Sequence, residues 1–182
     1  TSRPHPMPPL QLVVFSGLPG TGKSTFADLA GRELGCPVFS KDELHASLKR
    51  SGLSYDRAGW MSHELLTLLA NNQLRLGQSA VLDSVTALQK LRDGWHMLAE
   101  GYGAVFRPVE CVCSDAEVHR QRLEARRRGA HGLRDLAWDD VAEVAARYEP
   151  WVAEQPLVLD SAGDPAANLR QLRAYLGVTP PD

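Results

Sequence analysis

The stretch "VVFSGLPGTGKSTFADLA", residues 13–30, constrains the chain more than any other. An apolar run leads into three glycines, then a lysine and two hydroxyls, then an amphipathic helical pattern. Gly17-Leu18-Pro19-Gly20-Thr21-Gly22-Lys23-Ser24 satisfies every specified position of the phosphate-cradling loop. Gly17, Gly20 and Gly22 open backbone conformations closed to other residues, so that successive N–H groups can turn inward around an anion. The N-terminus of the following helix adds partial positive charge. Lys23 is placed to bridge β- and γ-phosphates and Ser24 to ligate Mg²⁺, with Thr21 and Thr25 in the same cofactor-binding stretch.

Apolar runs at 10–16, 36–40, 79–83, 104–113 and 156–160 alternate with helix-length amphipathic stretches. Phe26, Leu29, Ala30 and Leu34 share one helix face, as do Leu169, Leu172 and Leu176 in a last helix that Pro165 can start. Ser114 to Glu117 has capping-box spacing and would open a helix at about 115. Gly52, Gly77, Gly101 and Gly129 punctuate helix ends. Repeated strand–helix alternation requires crossovers, hence an α/β fold with a mostly parallel sheet and helices on both faces. One domain over 10–177 is expected, with a proline-rich disordered leader at 1–9 and a tail at 178–182.

Composition excludes several classes. A net charge of −2 gives no bulk attraction to nucleic acid or anionic membrane. No apolar run approaches the ~20 residues needed to span a bilayer. Three cysteines argue against a disulfide framework and fit a reducing, cytoplasmic setting. Cys111 and Cys113 read as buried strand cysteines rather than half a metal site. Oligomeric state is not legible.

Ligands of such folds sit beyond the carboxyl ends of the strands. Asp83 ends the third apolar run, where an acid either orients Mg²⁺ or binds the acceptor. Asp42 follows the second, as a base for an attacking hydroxyl, as a helix N-cap, or as both. Residues 119–134 hold Arg120, Arg122, Arg126, Arg127, Arg128 and Arg134 against the single acid Glu124. Arg122 and Arg126 lie one helical turn apart and can clamp a triphosphate. "RRRGAHGLRD" reads as a mobile loop within a lid at about 120–137.

"GLPGTGKST", "FSKDEL", "VLDSV", "RLEARR" and "LVLDS…LRQLRAYL", taken together, resemble a group of small P-loop kinases. It includes the 5′-polynucleotide kinase domain, chloramphenicol phosphotransferase and zeta-toxin-like kinases. The resemblance spans roughly 10–177. It implies a five-stranded parallel sheet and transfer of the γ-phosphate of ATP, with GTP less favoured, to a hydroxyl. It also implies Asp42 as general base, Lys23, Arg122 and Arg126 around the phosphates, and Ser161 near the nucleobase. Many relatives carry an arginine three residues beyond the aspartate, gripping an acceptor phosphate; here that position is His45. This favours a small alcohol, sugar, nucleoside or antibiotic over a polynucleotide, with a toxin-like sugar-nucleotide kinase as another reading. Tyr55, Arg57, Trp60 and His63, in the segment before the second long helix, are candidates for the acceptor wall or for ordinary packing. "DRAG" at 56–59 mimics a GTPase motif but follows no strand, and no base-reading motif accompanies it. A regulator that binds ATP without chemistry is the non-enzyme alternative.

Overall fold

The structure, a computed structural model, describes residues 8–129 and 137–178, and only the backbone of 126–129. Most of the leader, the central part of the lid and the tail beyond 178 lie outside the described residues. Five strands alternate with helices: β1 (Gln11–Ser16), α1 (Lys23–Leu34), β2 (Val38–Ser40), α2 (Lys41–Arg50), α3 (Tyr55–Arg75), β3 (Ala80–Asp83), α4 (Gln89–Gly101), β4 (Val105–Val112), α5 (Ala116–Gly129), α6 (Trp138–Arg147), β5 (Leu157–Asp160) and α7 (Pro165–Leu176). All strand pairs are parallel, in the order β2-β3-β1-β4-β5.

Period-two alternation along β1 divides the core between the two faces of the sheet. Val13 and Phe15 point to one side, where Phe26, Ala27 and Ala30 of α1 and Leu172 and Leu176 of α7 cover them. Leu12 and Val14 point to the other, against Leu66, Ala70 and Leu74 of α3 and Trp95 and Ala99 of α4. All six residues of β1 are buried, as a central strand with helices on both faces requires. The loop that follows β1 therefore hangs from the fully buried central strand of the sheet.

The local signals mostly act as the sequence implies. Pro165 is the first residue of α7, and Asp164 caps it by accepting from Ala166 N and Ala167 N. The fifth helix differs. Asp115, not Ser114, caps α5, its Oδ1 accepting from Glu117 N at 2.9 Å and Val118 N at 3.0 Å. Ser114 N instead donates to Asp160 Oδ1, which ties the ends of β4 and β5 together. Helix α3 also begins earlier than expected. Tyr55, Arg57, Trp60 and His63 lie in its first turns rather than in a preceding loop, because Ser54 leaves extended backbone and the helix starts at once. No described helix is long and apolar enough to cross a membrane.

Candidate active site

The glycine loop joins β1 to α1, and its closure is visible atom by atom. Leu18 O accepts from Thr21 Oγ1 and from Lys23 Nζ, each at 2.8 Å. Gly22, with φ 86°, is the N-cap residue of α1, and Phe26 N donates to its carbonyl. Gly17 has φ 129°, and a Cβ there would lie 2.2 Å from Cys111 O on the neighbouring strand. Gly17 and Thr21 thus shape the loop from beneath, while Gly20, Gly22, Lys23, Ser24 and Thr25 face a cavity of about 980 Å³.

A buttress that the sequence reading missed holds the crest of this loop. His119 of α5 is buried, and its Nε2 lies 2.7 Å from Pro19 O. A carbonyl can only accept, so Nε2 carries the proton. The ring also touches Gly20 and meets Trp138 edge-on at 5.0 Å. A lone histidine at the start of an arginine-rich stretch gave no hint of this; only the folding back of α5 over the loop reveals it.

On the cation side, Ser24 Oγ donates to Asp83 Oδ2 at 2.7 Å. Strand pairing explains the meeting: Phe15 stands opposite Asp83, so the end of β3 is level with the start of the loop. A hydroxyl and a carboxylate converging at one point are the oxygen donors that Mg²⁺ takes, usually with waters and phosphate oxygens completing its shell. The donor set fits the ion.

Arg122 occupies the opposite rim. Its Nη1 donates to Ser161 Oγ at 2.5 Å and its Nη2 to Ser161 O at 2.9 Å. Ser161 in turn sits against Gly22, where an added Cβ would be 3.1 Å from the serine Cβ. Hydrogen bonds from Ser114 and from Ala162 N hold the Asp160 carboxyl below its usual range, which fixes the turn carrying Ser161. Arg126 lies one turn beyond Arg122 in α5, and its side chain is outside the described residues.

The remaining wall of the cavity is built by α2 and the β3–α4 loop. Ser40 pairs in register with Asp83, so Asp42, two residues on, opens α2 beside the strand ends. Ser40, not Asp42, occupies the N-cap position, so Asp42 sits in the first helical turn with its side chain on the cavity. Ser84 and Val85 line the cavity as well. So do Glu43, Ala46 and Arg50, which share one face of α2 with Asp42 at three- and four-residue spacing.

The structure does not bring His45, Tyr55 or Trp60 to this cavity. His45 is buried at 4% exposure, its ring 4.6 Å from that of Tyr55 in the α2–α3 contact. On the helical wheel position 45 falls roughly 60° outside the arc spanned by Asp42, Ala46, Arg50 and Glu43, on the side that meets α3. Trp60 is 69% exposed and lines a separate shallow groove with Leu53, Asp56, Arg57 and Met61. Arg50 is the cavity-lining cation on α2 that sequence reading missed. A helical wheel drawn from Asp42 would have found it.

Comparison with known structures agrees with this architecture. A kinase candidate from Chloroflexus aurantiacus superposes with TM-score 0.74 at 23% identity, covering 91% of this chain and 98% of that one. The APS kinase of Mycobacterium tuberculosis, in complex with AMPPNP and APS, gives 0.67 at 22% identity, covering 93% and 99%. A gluconokinase from Sinorhizobium meliloti gives 0.66 at 18%, covering 95% and 94%. At these identities the likeness is one of fold, a three-layer α/β sheet of the P-loop type. No curated protein matches significantly. A family model does match, over residues 12–150 and so well over half the chain: the chain belongs to the AAA_33 family of AAA domains.

Proposed function

We propose that the protein is a kinase that transfers the γ-phosphate of ATP to a hydroxyl of a small-molecule acceptor. One observation carries this reading. The phosphate loop, the Ser24–Asp83 pair and the Asp42 carboxylate open into one cavity, so that donor, cation and base share a space.

The roles follow from charge and position. Main-chain amides from Gly20 to Ser24 hold the β- and γ-phosphates, and Lys23 shifts from Leu18 O to the phosphate oxygens. Arg122, with Arg126 beyond it, balances charge as the phosphoryl group moves. Ser24 and Asp83 would hold Mg²⁺, which when bound neutralises charge on the β- and γ-phosphate oxygens. Asp42 accepts the proton of the attacking hydroxyl; the hydroxyl oxygen bonds to the γ-phosphorus, and the bond to the β–γ bridging oxygen breaks, releasing ADP. Ser161 borders the nucleobase side of the cavity.

A small acceptor fits the walls better than a polynucleotide. The chain has no net positive charge to attract a polynucleotide, and the cation that α2 brings to the cavity is the single Arg50 rather than position 45. The structurally similar proteins include a sugar kinase, a gluconokinase and an APS kinase, whose names specify small acceptors. The motifs on their own resemble the polynucleotide kinase, chloramphenicol phosphotransferase and zeta-toxin group, a resemblance that rests on the sequence alone.

The test is ADP release with Mg·ATP across a panel of sugars, nucleosides, antibiotics and 5′-hydroxyl oligonucleotides. Wild type should turn over a small alcohol. Asp42→Asn should lose about 10²–10⁴-fold of that turnover while binding Mg·ATP as before. Turnover only of oligonucleotides would overturn the small-molecule reading. Unchanged turnover in Asp42→Asn would overturn the assignment of the base.

A further inference from the structure

The β3–α4 loop, whose Ser84 and Val85 line the cavity, is held in an unusual way. Thr86 has φ 48°, the one positive φ outside glycine among the described residues. A β-branched residue enters that region only when its surroundings impose it. Thr86 is buried, its Oγ1 donates to Ser84 O at 3.3 Å, and its own carbonyl accepts from Arg92 Nε at 3.0 Å.

Arg92 is fully buried in α4 and forms no ion pair among the described residues. Its guanidinium lies 4.3 Å from the centre of the Trp151 ring and 5.0 Å from that of Tyr148. Its Nη1 donates to Gln89 Oε1 at 3.2 Å, and its Nη2 has no hydrogen-bond partner. The ring faces, with the two hydrogen bonds, thus offset the buried charge. The segment carrying those rings, just after α6, is itself pinned at the mouth of the site. Trp151 Nε1 donates to Ser16 Oγ at 3.3 Å, and Glu149 N donates to Ala87 O at 2.8 Å.

We propose that Arg92, clamped by Tyr148 and Trp151, is a positioning residue that sets the acceptor wall at Ser84 and Val85. The proposal rests on the kinase reading for its catalytic consequence. Its structural half, that residues 84–88 are ordered through Arg92, stands without it. A planar guanidinium suits this place because its faces stack while its edge donates to Thr86 O. A lysine keeps the charge but has neither faces nor fork.

The test compares wild type with Arg92→Lys, Trp151→Leu and Gln89→Ala. The last two alter half-buried positions and spare the core. Amide hydrogen exchange at 84–88 should rise about tenfold or more in Arg92→Lys and Trp151→Leu, and less in Gln89→Ala, while α1 amides change less than about twofold. Calorimetric affinity for Mg·ATP should stay within about twofold, and KM for the acceptor should rise about tenfold while KM for ATP holds. Equal increases in exchange throughout the protein, or parallel rises in both KM values, would overturn the proposal in favour of a merely structural arginine. Should Arg92→Lys fail to fold, Trp151→Leu decides by the same readouts. A wild type that turns over no alcohol would count against the kinase reading, while exchange at 84–88 would still decide whether Arg92 orders the wall.

Discussion

Ser24 and Asp83 come from elements 59 residues apart, yet their oxygens meet at 2.7 Å at the head of the sheet. The pairing of β1 with β3 makes this contact, since Phe15 and Asp83 are register partners and Ser24 is the second residue of the next helix. Both side chains should therefore matter to cation-assisted binding and little to the loop's own grip. Ser24→Ala and Asp83→Asn should each remove most of the gain in ATP affinity that Mg²⁺ provides. Turnover should fall by about 10²-fold, the scale of losing one preorganised charge-stabilising group. Calorimetry with and without Mg²⁺ checks this, and variants that keep the full magnesium enhancement would refute the assignment.

Gly17 and Gly35 both carry positive φ but differ in their surroundings. A Cβ on Gly17 would collide with the backbone carbonyl of Cys111, whereas Gly35 has nothing within 4 Å. Gly35→Ala should cost about 1–2 kcal/mol, the penalty of a left-handed residue with a side chain. Gly17→Ala should cost more, because a strand must move as well, and should cut ATP affinity too. Urea denaturation of the two variants side by side measures the difference. Equal losses would mean that backbone strain, not the close approach to β4, decides the matter.

Much of this architecture is legible in one dimension, and the reasons are local. All five strands fall within the apolar runs, four of which end in Ser or Asp, and the runs are clearest at β1 and β3, which are buried along their whole length between two layers of helices. The loop at 17–24 is legible because its glycines answer a need of the backbone itself. What escaped depends on how helices turn and pack. Asp42, Ala46 and Arg50 share a face only once α2 begins at Lys41. Position 45 then turns toward Tyr55, so the histidine read against an acceptor phosphate is instead a packing residue. His119 and Arg92 escaped for a further reason. Each acts on a carbonyl of another element, Pro19 O or Thr86 O, and backbone acceptors leave no trace in side-chain patterns.

Of the three cysteines, Cys113 should report on nucleotide binding. Burial pushes the Cys111 thiol up to about 12 and that of Cys36 up to about 11, so neither supplies thiolate near neutral pH. Cys113 is half-buried beyond the end of β4, its sulfur 3.9 Å from Arg122 Nη1. Iodoacetamide at pH 8 should modify Cys113 first, and saturating Mg·ATP should slow that reaction several-fold by occupying the space beside Arg122. Mass spectrometry of the labelled peptides gives the rates. Labelling of Cys113 indifferent to nucleotide would place the nucleobase elsewhere.

Stability should fall as pH drops below 6.5, and the two histidines of the α2–α3 region should account for part of it. Burial lowers the His45 pKa from 6.5, with Lys41 and Lys49 acting in the same direction and Asp42 and a hydrogen bond to the Tyr55 backbone against them. Its Nε2 has no hydrogen-bond partner, so the neutral ring is the form the fold accepts. Burial likewise lowers His63, whose ring lies 4.9 Å from Trp95; Lys41 adds to the effect and Glu64 opposes it. For a base whose folded pKa is depressed, the unfolded chain takes up its proton first as pH falls. The stabilisation is complete above 6.5 and declines from there down to the folded pKa, by at most ~1.4 kcal/mol per pH unit for each proton. Urea denaturation at pH 7.5 and 5.5 should show wild type losing more stability than His45→Phe, which keeps an aromatic ring against Tyr55 without a titrating nitrogen. The double variant with His63→Phe should be flatter still. Parallel pH profiles for all three proteins would show that these imidazoles take up protons equally in both states, and that their burial carries no electrostatic cost.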